Sequence, residues 1–245
     1  MPTGSALAGT VAVVTGASGR LGPVWIETLA EAGATVVGLD LAEGDGVIAA
    51  DVTDRATLDA ARRQIEAEHG TVGVLVNNAG IDQPPDPAAG GAETLERFRQ
   101  TVDVNLAGTW NAIQAFGPAM VEAGRGSIVN LGSLYATVAP EPRFYDHLPG
   151  FVKPAAYAAS KAGVLQLTRY FARLWGPHGV RVNALSPGGV RATQDPEFVE
   201  KYCARVPLGR MAEPDDLRGP LVFLASDASR YVTGHELRVD GGFTA

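Results

Sequence analysis

Short apolar runs of strand length alternate with helical patterns along this whole chain, and that alternation leaves few folds open. Runs near 10–15, 35–39, 46–50, 72–76, 126–132, 179–185 and 235–239 read as strands. Leu95, Phe98, Val102, Leu106, Ile113, Phe116 and Met120 fall at helical spacing across about 92–122, as do Val164, Leu167, Phe171 and Leu174 across about 155–175. Strands alternating with helices form a parallel sheet covered on both faces. The expected fold is therefore α/β and doubly wound, with about seven parallel strands and residues 1–245 in a single domain. At 245 residues, 46% apolar and 19% charged, the chain can bury such a core without splitting.

The first strand carries the most specific local signal. Thr10–Val14 runs into Thr15-Gly16-Ala17-Ser18-Gly19-Arg20-Leu21-Gly22, and an amphipathic helix continues through Trp25, Ile26 and Leu29 to Gly33. Glycines let the backbone approach a ligand, and a helix N-terminus offers free N–H groups and the positive end of its dipole. Together they make a pyrophosphate site of the Rossmann type. The next strand, from Thr35, ends in Asp40, about 20 residues on, where a carboxylate can accept from a ribose diol. Only ten residues separate Asp40 from Asp51, too few for a full crossover helix, so a turn is expected there and the adenosine end should lie open.

A second signal lies in Tyr157-Ala158-Ala159-Ser160-Lys161. Side chains four apart share one helix face at roughly 5–6 Å. A phenol titrates near pH ~10, and a cation one turn away lowers that value, which makes Tyr157 a usable acid/base.

Further segments follow in order: Asp51-Val52, Asn77-Asn78-Ala79-Gly80, Asn105 in Val104-Asn105-Leu106, Ser133 closing Ile128–Ser133, Pro187-Gly188, Pro207–Arg210 and Val239–Gly242. With these, the chain resembles the short-chain dehydrogenase/reductase family in its single-domain branch, over essentially all 245 positions. The resemblance implies hydride transfer between a nicotinamide cofactor and an alcohol or carbonyl. Tyr157 would exchange a proton with the substrate oxygen, and Lys161 would hold the nicotinamide ribose and keep the phenol acidic. Ser133 would bind the reacting oxygen, and Asn105 would anchor a water of the proton relay.

For the cofactor, the implied contacts are Gly16, Ser18, Gly19, Arg20, Leu21, Gly22 and Asp40. Asp51 would meet the adenine amine and Val52 the ring. Asn78, Ala79 and Gly80 would lie along the cofactor, and Pro187, Gly188 and Val190 would join Tyr157 and Lys161 near the nicotinamide. The glycine spacing departs from the branch pattern: Arg20 stands where glycine is usual, and Gly16, Gly19 and Gly22 follow the extended branch. That branch needs a large substrate domain, whereas six residues follow Val239, so the single-domain reading is kept. Asp40 favours NAD by repelling a 2′-phosphate. Arg20 could attract that phosphate, which keeps an NADP-dependent carbonyl reductase as the alternative. A non-catalytic dinucleotide-binding redox sensor would be favoured by loss of a tetrad residue, and all four are present.

Ser133 and Tyr157 stand 24 positions apart, where the family places them about a dozen apart. The additional segment, 134–153, leaves the carboxyl end of the fifth strand and returns beside Tyr157, so it is expected at the substrate pocket. Its Tyr135, Glu141, Arg143, Tyr145, Asp146, His147 and Lys153, with Asp82 and Gln83, point to a sugar, polyol or sugar acid. Some family members with a similar segment are gluconate-dehydrogenase-like. Asp82, Arg143 and His147 are the candidate substrate residues, and 189–210 is the expected lid. The resemblance also implies a homotetramer. The long helices would pair about one axis, and the last helix and strand, with Leu217, Leu221, Val222 and Leu224 and a tail carrying Phe243, about another.

Composition excludes other classes. The net charge of −7 and the lack of a basic run argue against nucleic acid and membrane as partners. No apolar run approaches the ~20 residues of a membrane span, and no secretory signal is apparent. One cysteine, Cys203, excludes an internal disulfide and fits the cytoplasm. The histidines lie apart from any Cys/His cluster, and no metal is expected.

Overall fold

A computed structural model of the chain describes residues 6–83, 93–148, 150–151 and 153–245. Seven strands are present among them: β1 Val11–Thr15, β2 Thr35–Asp40, β3 Val47–Ala49, β4 Val72–Asn77, β5 Gly126–Leu131, β6 Val180–Pro187 and β7 Glu236–Val239. They pair in parallel in the order β3-β2-β1-β4-β5-β6-β7. The winding direction reverses between β1 and β4, so the chain leaves these neighbours in opposite directions. A crevice opens at their carboxyl ends.

The helices are α1 Gly22–Glu31, α2 Arg55–His69, α3 Leu95–Val102, α4 Gly108–Glu122, α5 Ala155–Trp175, α6 Pro196–Arg205 and α7 Arg218–Ala225. Successive strand residues point to opposite faces of the sheet. Val13, Leu75 and Ile128 pack with Leu58, Ile65, Phe116 and Phe171, from α2, α4 and α5. Val14, Val76 and Val129 pack with Trp25, Leu29, Leu221 and Leu224, from α1 and α7. Each of the larger of these side chains contributes about 1.5–3 kcal/mol by burial. Leu217, Leu221 and Leu224 are thus consumed in the chain's own core.

The short β2–β3 connection is a turn, closed by Gly38 N–H donating to the Gly46 carbonyl at 2.8 Å. The helix expected across 92–122 is interrupted: a π-helical turn, Asp103–Ala107, separates α3 from α4 and centres on the fully buried Asn105. No described helix is long and apolar enough to cross a membrane.

Segment 134–153 forms 3₁₀ turns at Leu134–Ala136 and Pro142–Phe144. It docks on 189–210 and on the last residues. Phe144 lies edge-on to Phe198 and Phe243 at 6.2 and 6.0 Å, and Phe243 stacks on Tyr202 at 5.1 Å. Phe243, on the short tail after β7, is buried in this aromatic cluster. His147 Nε2 and Asp195 add a hydrogen bond at 2.8 Å, and Lys201 bridges Asp146 and Glu197.

Candidate active site

The carboxyl ends of β1, β4, β5 and β6 surround a cleft of about 600 Å³. Ser133 follows β5, and its Oγ accepts from the Tyr135 N–H at 3.2 Å. Tyr157 is the third residue of α5. That helix begins at Pro154 without a side-chain cap of its own, and the Glu93 carboxylate accepts from Ala155 and Ala156 N–H at 3.1 and 3.2 Å. A residue more than sixty positions away thereby fixes the turn that holds the phenol. Lys161, one turn on, is buried and donates to the Leu131 carbonyl at 2.7 Å. Its Nζ lies 5.9 Å from the Tyr157 ring centroid.

Burial sets the electrostatics. It pushes the Tyr157 phenol up to about 12, against a hydrogen bond from Ser133, while the Asp82 charge adds to the rise. The same desolvation pulls the Lys161 ammonium down to about 8, with Asp82 opposing. A phenol lowered by its lysine was expected; in this chain desolvation outweighs that effect. Tyr202, whose oxygen accepts from Gly189 N–H at 2.6 Å, is pushed up to about 12, also by burial.

Asn105 lies behind the cleft. Its Oδ1 accepts from Ile81 N–H at 2.7 Å, and its Nδ2 donates to the Ile81 carbonyl at 2.9 Å and to Ser160 Oγ at 3.1 Å. The side chain therefore ties the π turn to the loop that follows β4 and to α5.

The residues of the glycine-rich turn fit a dinucleotide. Gly16 has φ +66°, and a Cβ there would stand 2.7 Å from Ala79 Cα. A Cβ on Gly22 would meet the Ala17 carbonyl at 2.2 Å, whereas at Gly19 the nearest atom is the Gly16 carbonyl at 3.2 Å. Leu21 caps α1 without a side-chain hydrogen bond. Gly22 N–H donates to the Gly19 carbonyl at 3.2 Å and Pro23 has no N–H, so the positive end of the helix dipole is what this terminus offers an anion. Asp40 accepts from Ser18 N–H and Leu41 N–H, each at 2.7 Å, and a carboxylate retains lone pairs for a diol beyond these two.

Asn78 braces the turn, donating to the Thr15 and Gly16 carbonyls at 3.1 and 2.8 Å and accepting from Trp25 Nε1 at 2.8 Å. Ala79 N–H donates to Thr15 Oγ1 at 3.1 Å. Gly80, Pro187, Gly188 and Val190 line the cleft beyond. Asp51 Oδ1 accepts twice from Thr53, at 2.8 Å each, which leaves Oδ2 open. Val52 is buried against the core, at a place where a Cβ on Gly108 would press on it at 2.7 Å. Arg20 turns toward the opposite wall, where its guanidinium donates to the Val190 and Arg191 carbonyls.

Of the expected substrate residues, Asp82 lines the cleft and pairs with Lys153. Arg143 does not line it: the side chain is 88% exposed and faces Glu141 at 3.4 Å. His147 is also outside the walls, because its ring is engaged by Asp195, which itself lines the cleft. Arg143 pairs with Glu141 within the segment, Asp146 with Lys201, His147 with Asp195 and Lys153 with Asp82, while the aromatic rings turn inward. Tyr135, Tyr145, Phe151, Phe198 and Tyr202 supply the walls, with Lys153 among them. Two sequence signals point there: the density of aromatic residues in 134–153, and a lysine four positions before Tyr157 that mirrors Lys161 four after. Among the described residues, Asp146, His147 and Glu197 have spacing that could hold a metal ion, but Lys201 already bridges the two carboxylates.

A family model described as enoyl-(acyl carrier protein) reductase matches residues 22–244. The chain is 39% identical to galactitol 2-dehydrogenase (L-tagatose-forming) of Cereibacter sphaeroides, over 97% of this chain and 96% of that one. A short-chain dehydrogenase from Leptospira borgpetersenii serovar Hardjo-bovis, crystallised with NAD+, superposes with TM-score 0.87 at 36% identity, covering 96% and 93%. A gluconate 5-dehydrogenase from Burkholderia cenocepacia J2315, in complex with NADP and tartrate, superposes with TM-score 0.85 at 33% identity, covering 97% and 96%.

Proposed function

The chain belongs to the short-chain dehydrogenase/reductase family, an NAD(P)-linked oxidoreductase acting on CH–OH groups, and from that footing we propose that it oxidises a polyol or sugar with NAD. The observation that carries the chemistry is Ser133, Tyr157 and Lys161 in one cleft with the glycine-rich turn. When bound, the nicotinamide supplies the acceptor for the hydride of the carbinol carbon. Ser133 Oγ donates to the substrate oxygen and holds it against Tyr157. On oxidation Tyr157 accepts the hydroxyl proton as the phenolate, after its own phenolic proton has passed to the relay beside Lys161, and on reduction it gives its proton to the substrate oxygen as the phenol. Lys161, anchored on the Leu131 carbonyl, holds the ribose and keeps a positive charge near the phenolate that forms. Asn105 keeps the backbone at Ile81 in register with α5 and supports the relay from behind.

The polyol reading rests on the walls and on the relatives. Tyr135 and Tyr145, joined through their hydroxyls at 3.2 Å, offer ring faces to the C–H side of a sugar and oxygens to its hydroxyls. The related enzymes act on galactitol and gluconate. NAD is favoured over NADP because Asp40 guards the diol position and Arg20 is engaged elsewhere. Segment 134–153 and residues 189–210 together cover the substrate side and exclude water.

We assign a homotetramer on the exposed Trp110 of α4 and Tyr170 and Leu174 of α5, an apolar face that pairing of these helices would bury. The single cysteine supports a cytoplasmic location. The test is initial rates on galactitol, threitol, gluconate and cyclohexanol with each cofactor, read at the reduced-nicotinamide band. Oxidation of cyclohexanol with no polyol turned over would sink the substrate assignment. A monomer mass by light scattering at micromolar concentration would sink the tetramer.

A further inference from the structure

Lys153 has no part in the proton chemistry or the cofactor site just described, yet it stands at the reacting centre. Its ammonium pairs with the Asp82 carboxylate and lies 5.4 Å from the Tyr157 ring centroid and 5.9 Å from that of Tyr135. Lys153 is only 17% exposed at its side chain, and both partners line the cleft with Ser133 and Tyr157. Stability does not explain the pair. The start of α5 is already held by Glu93, and partly exposed ion pairs contribute little to folding.

An ammonium has three donors and a carboxylate about four acceptor sites, so the pair keeps both kinds free after making its own contact. It therefore presents a donor and an acceptor side by side, next to the phenol that takes the proton. A hydroxyl both donates and accepts, and can bridge such a pair without breaking it. A carboxylate only accepts, and would face the charge of Asp82. A simple alcohol leaves both sites to water.

We propose that Asp82 and Lys153 together bind the hydroxyl on the carbon next to the reacting one, so that the preferred substrate is a neutral vicinal diol. This deepens the polyol reading and rests on it. Lys153 is a specificity-determining residue here, with Asp82 as its partner.

The test compares 2,3-butanediol with 2-butanol, which share a carbon skeleton and differ in the neighbouring hydroxyl, and adds threitol and gluconate. Hydrogen bonds to charged groups contribute about 1.5–3 kcal/mol, which corresponds to a loss of about 10- to 150-fold. The ratio of kcat/KM for the diol over 2-butanol is expected to fall by that factor in Lys153→Met, mainly through KM for the diol. Asp82→Asn is expected to show the same split, and the double variant to lose no more than the worse single one, because the two act as a unit. NAD titration within twofold of wild type certifies folding, and Asp82→Asn carries the test if Lys153→Met does not fold. A ratio unchanged in both variants overturns the proposal while leaving the polyol reading intact. So does a wild type that prefers gluconate to threitol and loses that preference in Lys153→Met, because Lys153 would then bind a carboxylate. A wild type that turns over no diol overturns both readings.

Discussion

Arg20 donates to the Val190 carbonyl at 2.6 Å, and from the same nitrogen to that of Arg191 at 2.9 Å, so one side chain joins the glycine-rich turn to the segment after β6. A guanidinium committed in this way holds the wall of the cofactor cleft. Arg20→Ala is expected to weaken NAD and NADP alike, by about three- to tenfold for the loss of one or two hydrogen bonds. Fluorescence titration with both cofactors checks this. A loss confined to NADP would reassign Arg20 to the 2′-phosphate.

Asp40 should behave in the opposite way. Asp40→Ala removes an acceptor for the ribose diol and a repulsive charge at once. Affinity for NAD is expected to fall about tenfold while that for NADP holds or rises. The ratio of the two dissociation constants, measured in wild type and variant, is the readout.

Tyr157→Phe keeps the ring and its packing but removes the proton. Turnover is expected to fall by about 10²- to 10⁴-fold, the scale of general acid–base catalysis, with NAD affinity kept within twofold. Stopped-flow traces and a cofactor titration separate the two effects. Near-normal kcat would mean that another group moves the proton.

Lys161 makes a prediction about stability. Its folded value of about 8 lies below the unfolded value of 10.5, so the unfolded chain binds more protons between them. Stability from this group is present above pH 10.5 and is lost as pH falls through 8. Compared with Lys161→Met, the cofactor-free wild type is expected to gain about 3 kcal/mol between pH 7 and pH 11. Denaturant melts of both proteins across that range would show it, and parallel stability curves would refute it.

Arg143 and His147 should now differ. Arg143→Ala is expected to leave KM unchanged within about twofold, because an exposed surface pair contributes little. His147→Ala strips a partner from Asp195, which lines the cleft and caps α6 through Glu197 and Phe198 N–H at 2.9 and 3.1 Å. Substrate KM is expected to rise several-fold with NAD affinity kept, because Asp195 loses one hydrogen bond worth about 0.5–1.5 kcal/mol and is held less firmly at the cleft wall. Steady-state kinetics on the two variants side by side decide it.

The strands were legible because their buried positions are runs of Val, Ile and Leu, and the β2–β3 turn because ten residues cannot hold a crossover helix. The π turn at Asp103–Ala107 was hidden, since one extra residue within a long apolar pattern barely shifts its period. The contents of 134–153 were plain in the sequence, but not which side chains turn inward. Arg143 and Tyr145 stand two apart, and only packing against Phe144 and Phe198 decides that the ring goes in and the guanidinium out. Tyr157 and Lys161 were recognisable as a pair. Their shifts, upward and downward, come from burial that no spacing reports.

The turn that replaces a helix between β2 and β3 has a consequence for how such an enzyme changes over time. Beside Asp40 the chain offers an exposed Leu41 and a short glycine-containing loop, 41–46, exposed throughout. On the proposed placement of the cofactor, selection between coenzymes would be governed by local charge and not by shape. A lineage or a designer could exchange one redox currency for the other with one or two surface substitutions, leaving the sheet, the catalytic helix and the substrate walls untouched.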